Sequence, residues 1–288
     1  MITVLSLFDG LGGARIAMDR LGIPCKYYAS EINKDSIKIA MKNYPDIIQL
    51  GDITKIKGCN LPKIDLLTGG SPCQDLSNAK PNGEGLNGEK SKLFYEFNRL
   101  LKEIKPTFFL LENVKMKQEW EEIVTTILGV KPIELNSNLV SAQNRKRLYW
   151  TNISYSSPPK DKGLFIKDII YDDDFKVFTD IRIDRTRKFT KHYIKWDLSG
   201  KGYWSQQDRA YFKDDKMCTV PKANPSNKLN IWLGDNKYRR CHPIEAERLQ
   251  TLPDNYTDCI KSIGKRIGII GDGWTVDIIV HILKGIKE

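Results

Sequence analysis

Residues 3–13 read TVLSLFDGLGG, and the fold class of this 288-residue chain follows from them. An apolar run of strand length leads into a glycine-rich turn, and apolar residues then recur with helical spacing from 14 to 21. Glycines after a first strand open a helix and let a ligand approach the backbone. The stretch therefore predicts the first strand–turn–helix unit of an α/β fold.

The same alternation of apolar runs and helical patterns continues to about residue 153. It is typical of βαβ units around a mostly parallel sheet. Short aromatic runs replace it beyond residue 162, and regular patterns return near the C-terminus. The spacing predicts strands at 27–30, 47–50, 64–67 and 108–111, and helices at 35–43, 92–104, 242–252 and 278–283.

The composition, 40% hydrophobic and 28% charged, is ordinary for a globular protein. No stretch approaches the roughly 18 apolar residues of a membrane helix, and no basic region precedes the first apolar run, unlike in a signal peptide. The six cysteines are scattered without metal-ligand spacing, which argues against structural zinc. Such thiols suggest a reducing cytoplasm, so we expect a cytoplasmic protein.

Positive charge is concentrated in one part of the chain. The net charge is +10, and residues 182–240 alone hold 15 Lys/Arg against 6 Asp/Glu, interleaved with nine aromatic residues. This mixture suits a phosphate backbone and exposed bases, although a solvated surface over a small aromatic core fits it equally well. The segment 154–162, rich in Ser, Pro and Lys, is typical of a linker. We therefore predict one domain at 1–154 plus 262–288 and another at 155–261.

Two acidic side chains stand at the ends of predicted strands. Glu31 ends the second strand, and Asp52 follows the third. An acid about 20 residues after a glycine turn can accept both ribose hydroxyls of a nucleoside, and Asp52 is placed to reach an adenine amino group. Either acid alone could be an exposed cap, but together with the glycine turn they favour a nucleoside-type cofactor.

The predicted loop 69–90 carries a thiol at the carboxyl edge of the sheet, in the sequence Pro72-Cys73-Gln74. Loops of this length inside a domain are usually functional. A thiolate can attack an electron-poor carbon if its pKa is lowered, and Glu112, at the end of the next strand, could protonate a ring nitrogen. The alternatives are an inert buried cysteine and a helix-capping glutamate.

A third set of polar side chains alternates within QNRKRLYW, residues 143–150. Alternate residues of a strand face one way, so Gln143, Arg145 and Arg147 are expected to share a face. Two arginines there can hold a carboxylate, a carbonyl or a phosphate. The alternative is a basic strand on the surface.

In this order, these residues resemble the motifs of the cytosine-C5 DNA methyltransferase family. The resemblance covers residues 4 to about 283 except roughly 155–240, the interval of the family's variable target-recognition domain. Ser71 before Pro72, and the stretch 271–276, look closer to animal de novo methyltransferases. Asp272 stands where the family usually has Asn, which puts a side-chain contact to the cofactor in question. The matching motifs are FDGLGG (8–13), Glu31, GDI (51–53), PCQ (72–74), ENV (112–114), QNRKR (143–147), ERLQTLP (247–253) and GDGW (271–274).

The resemblance implies a Rossmann-like, S-adenosylmethionine-dependent methyltransferase domain of the α/β class with a smaller, irregular target-recognition domain. It implies that C5 of a cytosine flipped out of DNA is methylated through a covalent Cys73–C6 bond, without a metal. The implied catalytic residues are Cys73, Glu112, Arg145 and Arg147. The implied cofactor-binding residues are Phe8, Asp9, Gly10, Gly12, Glu31, Ile32, Asp52, Ile53, Leu93, Asp272, Gly273 and Trp274. The implied substrate- and DNA-binding residues are Pro72, Gln74, Ser77, Gln143, Thr219, Arg239 and Arg240.

The expected partner is double-stranded DNA, and no binding to a membrane is expected. The source is expected to be bacterial or phage-encoded, and a restriction endonuclease partner is compatible with the reaction but not required. A tRNA cytosine methyltransferase would share the chemistry, but its Cys-Phe-Thr signature is not found. A non-catalytic DNA-binding relative would be expected to lose Cys73 or Glu112, and a nicotinamide oxidoreductase would not need both together with paired arginines.

Overall fold

A computed structural model gives the fold of the chain. It describes residues 1–72, 92–171, 177–179, 188–195, 209–222, 229–235 and 237–287. The chain divides into two compact units. The first comprises Met1–Asn136, Lys146–Pro158 and Val276–Glu288, and the second comprises Ser137–Arg145 and Pro159–Thr275. Within the described ranges, no helix has the length and apolar character needed to cross a membrane.

Thirteen strands and seven helices follow one another along the described parts of the chain. In chain order they are β1 (Ile2–Leu7), α1 (Gly13–Arg20), β2 (Cys25–Ser30), α2 (Lys34–Asn43), β3 (Ile48–Gln49), β4 (Leu66–Gly70), α3 (Leu93–Ile104), β5 (Phe108–Val114), α4 (Gln118–Leu128), β6 (Ile133–Asn136), β7 (Lys146–Thr151), β8 (Val177–Thr179), β9 (Lys188–Phe189), β10 (Tyr193–Lys195), β11 (Arg209–Tyr211), β12 (Asn230–Gly234), β13 (Lys237–Arg240), α5 (Pro243–Leu249), α6 (Ile263–Asp272) and α7 (Val276–Leu283).

The first unit is built on a seven-stranded sheet of order β3-β2-β1-β4-β5-β7-β6. The first five strands in this order run parallel, whereas β7 is antiparallel to both of its neighbours. Strand β1 lies between β2 and β4, so the glycine turn that follows it leaves the sheet between the carboxyl ends of these two strands. The predicted α/β class and the mostly parallel sheet are confirmed.

Helix α3 shows how the sequence fixes the packing of this sheet. Its apolar residues Phe94, Phe97 and Leu100 are spaced three apart and are all buried. Gly69 in β4 makes room for the helix, since a Cβ there would lie 2.9 Å from the ring of Phe97. The predicted helix 92–104 therefore packs closely on β4, because Gly69 faces Phe97.

Two elements of the first unit have no counterpart in the predicted pattern. Helix α4 contains five consecutive β-branched residues, 123–127, which lower helix propensity, and yet it buries Val124 and Leu128. Among the described strands, β6 pairs with β7 alone, at the edge of the sheet. Tertiary packing, rather than local propensity, fixes both elements.

The second unit contains a six-stranded sheet of order β8-β13-β12-β11-β10-β9. Its strands are two to five residues long, which explains why the sequence pattern showed only short aromatic runs. The predicted helix 242–252 is found as α5 over a shorter range. Helix α6 was not predicted, because glycines at 264, 268 and 271 lower its helix propensity.

The predicted domain boundaries differ from the two units at two segments. The unit boundary at Pro158 falls inside the predicted linker, but residues 137–145 and 262–275 lie in the second unit. Both segments are tied there by side chains: Gln143 donates to the Leu249 carbonyl, and Arg145 donates to the Gly273 carbonyl. Contacts over more than 100 residues of sequence thus place them, which a pattern along the chain does not reveal.

Candidate active site

The turn after β1 has an unusual backbone. Phe8, Gly10 and Gly12 all have left-handed φ angles, of 56°, 58° and 77°. Glycine adopts such angles freely, whereas for an aromatic residue they are uncommon and strained. The amide of Asp9 donates to the Ser30 carbonyl at 3.1 Å, which fixes the turn beside the end of β2. A turn this tight brings backbone amides to the carboxyl edge of the sheet, where α1 begins.

Glu31, at the end of β2, organises that turn. Its Oε2 accepts the Gly10 amide at 2.8 Å, and its Oε1 accepts the amides of Ile32 and Asn33, both at 2.8 Å. Since a carboxylate has about four lone-pair sites, three of them are occupied by these amides. Glu31 therefore holds the glycine turn, a role that was not predicted, and it can accept about one further donor. Its contact to a ribose stays a prediction.

Asp52 lies at the end of β3 and keeps one oxygen available. Its Oδ1 accepts both the amide and the hydroxyl of Thr54 at 2.9 Å, and these bonds lower the pKa of Asp52 below its usual value. Among the described residues, no hydrogen bond to Oδ2 is formed. The neighbouring Ile53 is buried in the core, whereas the Ile32 side chain is 73% exposed. An exposed apolar side chain directly after Glu31 can pack on a flat aromatic base.

Asp9 is buried under the glycine turn, a setting that its sequence motif did not reveal. Its Oδ1 accepts the hydroxyl of Tyr27 at 2.6 Å, and its buried Oδ2 has no hydrogen-bond partner among the residues that the structure describes. Burial raises the pKa of Asp9 to about 6, against the opposing hydrogen bonds from Tyr27 and Ser6. In the structure the carboxylate of Asp9 is buried against the Tyr27 hydroxyl, and its expected cofactor contact stays a prediction.

The segment that follows β4 is anchored beside β5. Asn113 donates from Nδ2 to the Oγ of Ser71 at 2.9 Å and to the Ser71 carbonyl at 3.3 Å, and both residues are buried. Pro72, the next residue, is half-buried. The predicted nucleophile and its neighbours Cys73, Gln74 and Ser77 lie outside the described residues. Asn113 stood in the sequence only as part of a motif, and no local signal predicted this anchoring role.

Glu112 and Arg147 form an ion pair at the same edge. Glu112 lies on β5 opposite Gly70 of β4, and the Nε of Arg147 is 3.0 Å from its Oε1. Both side chains are largely buried, with 11% and 14% of their surfaces exposed. Glu112 lies within a paired strand, so the helix-cap alternative is wrong. An acid and a guanidinium thus lie side by side next to the anchored Ser71.

Gln143, Arg145 and Arg147 do not share one strand face, in contrast to the prediction. Strand β7 begins only at Lys146, and Gln143 and Arg145 precede it in the second unit. Arg145 is buried and donates from Nη2 to the carbonyls of Gly271 and Gly273, at 3.2 and 2.9 Å. Gln143 is also buried, which removes it from any DNA-facing surface.

The remaining predicted DNA-binding residues are in different settings. Arg239 is buried and forms a two-pronged ion pair with Glu245, at 2.5 and 2.8 Å, so its expected DNA contact is incorrect. Arg240 is half-buried on β13, opposite Asn230. Thr219 is only partly covered, and its hydroxyl donates to the Asn144 carbonyl at 2.8 Å. Arg240 and Thr219 stay predictions.

The other predicted cofactor residues lie at helix ends. Leu93 begins α3 and packs, half-buried, against the core of the first unit. Asp272 ends α6 and lies 3.1 Å from the ammonium group of Lys222, while Gly273 and Trp274 follow it, half-buried. Within the described ranges, no group of three or more His, Cys, Asp or Glu side chains could hold a metal ion.

Comparison with known proteins places this geometry in a family. The chain matches the family of C-5 cytosine-specific DNA methylases over residues 2–288. It is 29% identical over 325 residues to Type II methyltransferase M.FnuDI of Fusobacterium nucleatum, which covers 99% of this chain and 94% of that protein. It is 27% identical to Type II methyltransferase M.HhaI of Haemophilus parahaemolyticus, over 88% of this chain and 84% of that protein.

Among solved structures, the Entamoeba histolytica methyltransferase EhMeth superposes with a TM-score of 0.76 and 16% identity, covering 100% of this chain and 99% of that chain. At this identity the likeness concerns the fold. The family match, by contrast, concerns the sequence itself, and it extends over both units and nearly every residue. The chain therefore belongs to the C-5 cytosine-specific DNA methylase family.

Proposed function

We propose that this protein transfers a methyl group from S-adenosylmethionine to C5 of a cytosine in double-stranded DNA. The observation that carries the proposal is the Glu112–Arg147 ion pair beside the anchored Ser71, directly before Pro72 and Cys73. Cytosine has its ring nitrogen N3 next to the carbonyl oxygen O2. A carboxyl group and a guanidinium held side by side match those two neighbouring atoms, one donating a proton and the other a hydrogen bond.

Cys73 is the nucleophile in this proposal. Its thiolate forms a bond to C6, and the ring electrons move toward N3, which takes a proton from Glu112. Arg147 holds O2, and C5 becomes nucleophilic and takes the methyl group, whose bond to the donor sulfur breaks so that the sulfonium leaves as a neutral thioether. The C5 proton then leaves to water or hydroxide, the C6–sulfur bond breaks to return the thiolate, and Glu112 regains its proton.

Arg145 takes a different part from the one first expected. Its guanidinium is buried among the carbonyls of Gly271 and Gly273, so it holds that turn rather than a substrate. We therefore assign substrate contact to Arg147 and a positioning role to Arg145.

The first unit fits a nucleoside-type cofactor. Glu31 has acceptor capacity left for a ribose hydroxyl, Asp52 keeps Oδ2 for an adenine amino group, and the exposed Ile32 can pack on the base. Phe8 and Gly10 bring the turn backbone close to the ligand. S-adenosylmethionine supplies the electrophilic methyl group, and the residues of this chain bind it and orient it.

A cytosine inside a duplex is out of reach of this chemistry, so the base is flipped out of the stack. Pro72, Gln74 and Ser77 belong to the segment assigned to the flipped base. The second unit, with Thr219 and Arg240, contributes target recognition, and its net positive charge supports binding to a phosphate backbone. A restriction endonuclease is not needed for the reaction.

A pair of cysteine variants tests the proposal. Cys73→Ser is expected to abolish incorporation of labelled methyl groups into duplex DNA, while calorimetry still detects S-adenosylmethionine binding. The matched control is Cys59→Ser, since Cys59 is a free and exposed cysteine of the first unit. Full activity of Cys73→Ser would contradict the mechanism, and labelling of tRNA in place of DNA would favour the RNA substrate.

A further inference from the structure

A buried hydrogen-bond path within the second unit starts at Gln143. Its Oε1 accepts the amide of Val220 at 2.7 Å, and its Nε2 donates to the Oε1 of Gln250 at 3.1 Å. Both glutamines have no exposed surface. Val220 follows Thr219, which is proposed to take part in target recognition, and residues 217–222 are called the recognition segment.

Gln250 carries the path onward to the end of α6. Its Nε2 donates to the carbonyls of Ile270 and Gly273, at 3.1 and 3.2 Å. Its Oε1 accepts from Thr275 at 2.7 Å as well as from Gln143. An amide side chain offers two N–H donors and one oxygen with two lone pairs, and all four are used in this path. A fully satisfied buried network fixes its members in one arrangement.

A direct backbone contact joins the same two segments. Gly271 has an ordinary helical φ, but a Cβ on it would lie 2.2 Å from the carbonyl oxygen of Pro221 and 3.0 Å from that of Val220. A side chain at 271 would therefore push the two segments apart. Glycine stands at this position because the recognition segment lies directly on the last turn of α6.

We infer that Gln143 and Gln250 are positioning residues that couple occupation of the cofactor turn, residues 271–274, to the order of the recognition segment, residues 217–222. The inference rests on the proposed function and on the family resemblance, which implies cofactor contacts at residues 272–274 and a target contact at Thr219. A ligand that orders the turn fixes the positions of the Ile270 and Gly273 carbonyls. The side-chain amides of Gln250 and Gln143 link these carbonyls to the Val220 amide, so the recognition segment is held in place as well. Because coupling between two sites is reciprocal, a bound DNA target raises cofactor affinity by the same factor.

Hydrogen exchange of the full-length protein tests this coupling without knowledge of the DNA sequence recognised. Saturating S-adenosylmethionine is expected to slow exchange in residues 217–222 at least about five-fold, the lower end of typical couplings between sites. Gln250→Met has similar volume and removes the path, so this protection is expected to disappear. Protection of the Gly10 amide, on the other cofactor-binding turn, is expected to remain in the variant.

Ser141→Ala is the matched control, because it removes a buried hydrogen bond to the Leu249 carbonyl, which Gln143 also contacts, and leaves the four bonds of Gln250 in place. It is expected to keep the protection of 217–222. If Gln250→Met does not fold, Gln143→Met is used in its place, because it removes the hydrogen bond to the Val220 amide. Binding of S-adenosylmethionine without protection in the wild type, or protection that survives in the glutamine variants, overturns the inference. Failure of the wild type to bind S-adenosylmethionine at all would contradict the proposed function itself.

Discussion

The two units bury polar side chains in different places. In the first unit, Asp9, Glu112 and Asn113 are buried at the carboxyl ends of the strands, around a core of apolar strand residues. In the second unit, Glu245 and Glu247 are fully buried along a helix. Each of these two glutamates accepts backbone amides and pairs with an arginine.

This difference separates two uses of buried polarity. A buried charge is costly unless it is paired and hydrogen-bonded, so the burial of acidic side chains in each unit has to be explained. The first unit already has a large apolar core, and its buried acids gather where ligands bind in open α/β sheets. The second unit has strands of only two to five residues, and its buried acids hold loops to helices. Substitutions are therefore expected to affect activity in the first unit and stability in the second.

The largest effect is expected for Glu112→Gln in the first unit. Gln keeps an oxygen for Arg147 but cannot deliver a proton to N3, so kcat should fall about 10²–10⁴-fold. Single-turnover methyl transfer measures this change. Glu134→Gln, on the exposed end of the same sheet, is the control and should leave kcat unchanged.

An unfolded Glu112→Gln variant would break the comparison, because Glu112 would then be part of what holds the unit together. Circular dichroism of the variant distinguishes this outcome from loss of chemistry in a folded protein.

The next largest effect is expected for Glu247→Ala in the second unit. Glu247 accepts the amides of Asn255 and Thr257 and pairs with Arg266 at 2.9 Å, all within a buried site. Removing one partner leaves a buried charge without compensation, which typically costs about 3–5 kcal/mol. Urea unfolding followed by tryptophan fluorescence measures this loss.

Asp214→Ala supplies the contrast within the same unit, since Asp214 pairs with Lys167 on the surface. Its free energy of unfolding should change by less than about 1 kcal/mol. Equal effects of the two substitutions would remove the distinction between buried and exposed acids.

The sequence predicted the first unit better than the second because its signals are local. The glycine turn, the strand-end acids and the amphipathic α3 each follow from neighbouring residues. The family resemblance predicts DNA contacts for Gln143 and Arg239, whereas their burial follows from their partners at 245–250. Such partners come together through the tertiary fold, which a periodic pattern does not encode.

A smaller and pH-dependent effect is expected at Asp9. The pKa of Asp9 is raised from 3.8 to about 6 by burial, with Tyr27, Ser6 and Glu31 as the groups that face it. Its protonated form therefore stabilises the fold below pH about 4, and this contribution is lost as the pH rises through about 6. Asp9→Asn should remove this dependence and stabilise the protein above pH 6, by at most about 3 kcal/mol.

Unfolding of the wild type and of Asp9→Asn should be compared at pH 4.5 and pH 7.5. The variant is expected to gain stability over the wild type only at the higher pH, since Asn keeps an oxygen for the Tyr27 hydroxyl. An equal difference at both pH values would mean that the Asp9 carboxyl does not titrate between them.

The smallest effect is expected at the surface of the second unit, where Lys222 and Asp272 lie 3.1 Å apart with about half of each side chain exposed. Asp272→Asn removes this ion pair but leaves Gly271 and the buried glutamines in place. Exposed pairs contribute about 0–1 kcal/mol, and salt screens them. The free energy of unfolding should therefore fall by less than about 1 kcal/mol in low salt, and the difference should vanish in 0.5 M salt, a concentration at which the Debye length is only about 4 Å. A larger, salt-independent loss of unfolding free energy would show that this ion pair is coupled to the buried hydrogen bonds of Gln143 and Gln250. Surface pairs would then contribute to the stability of the second unit as its buried acids do.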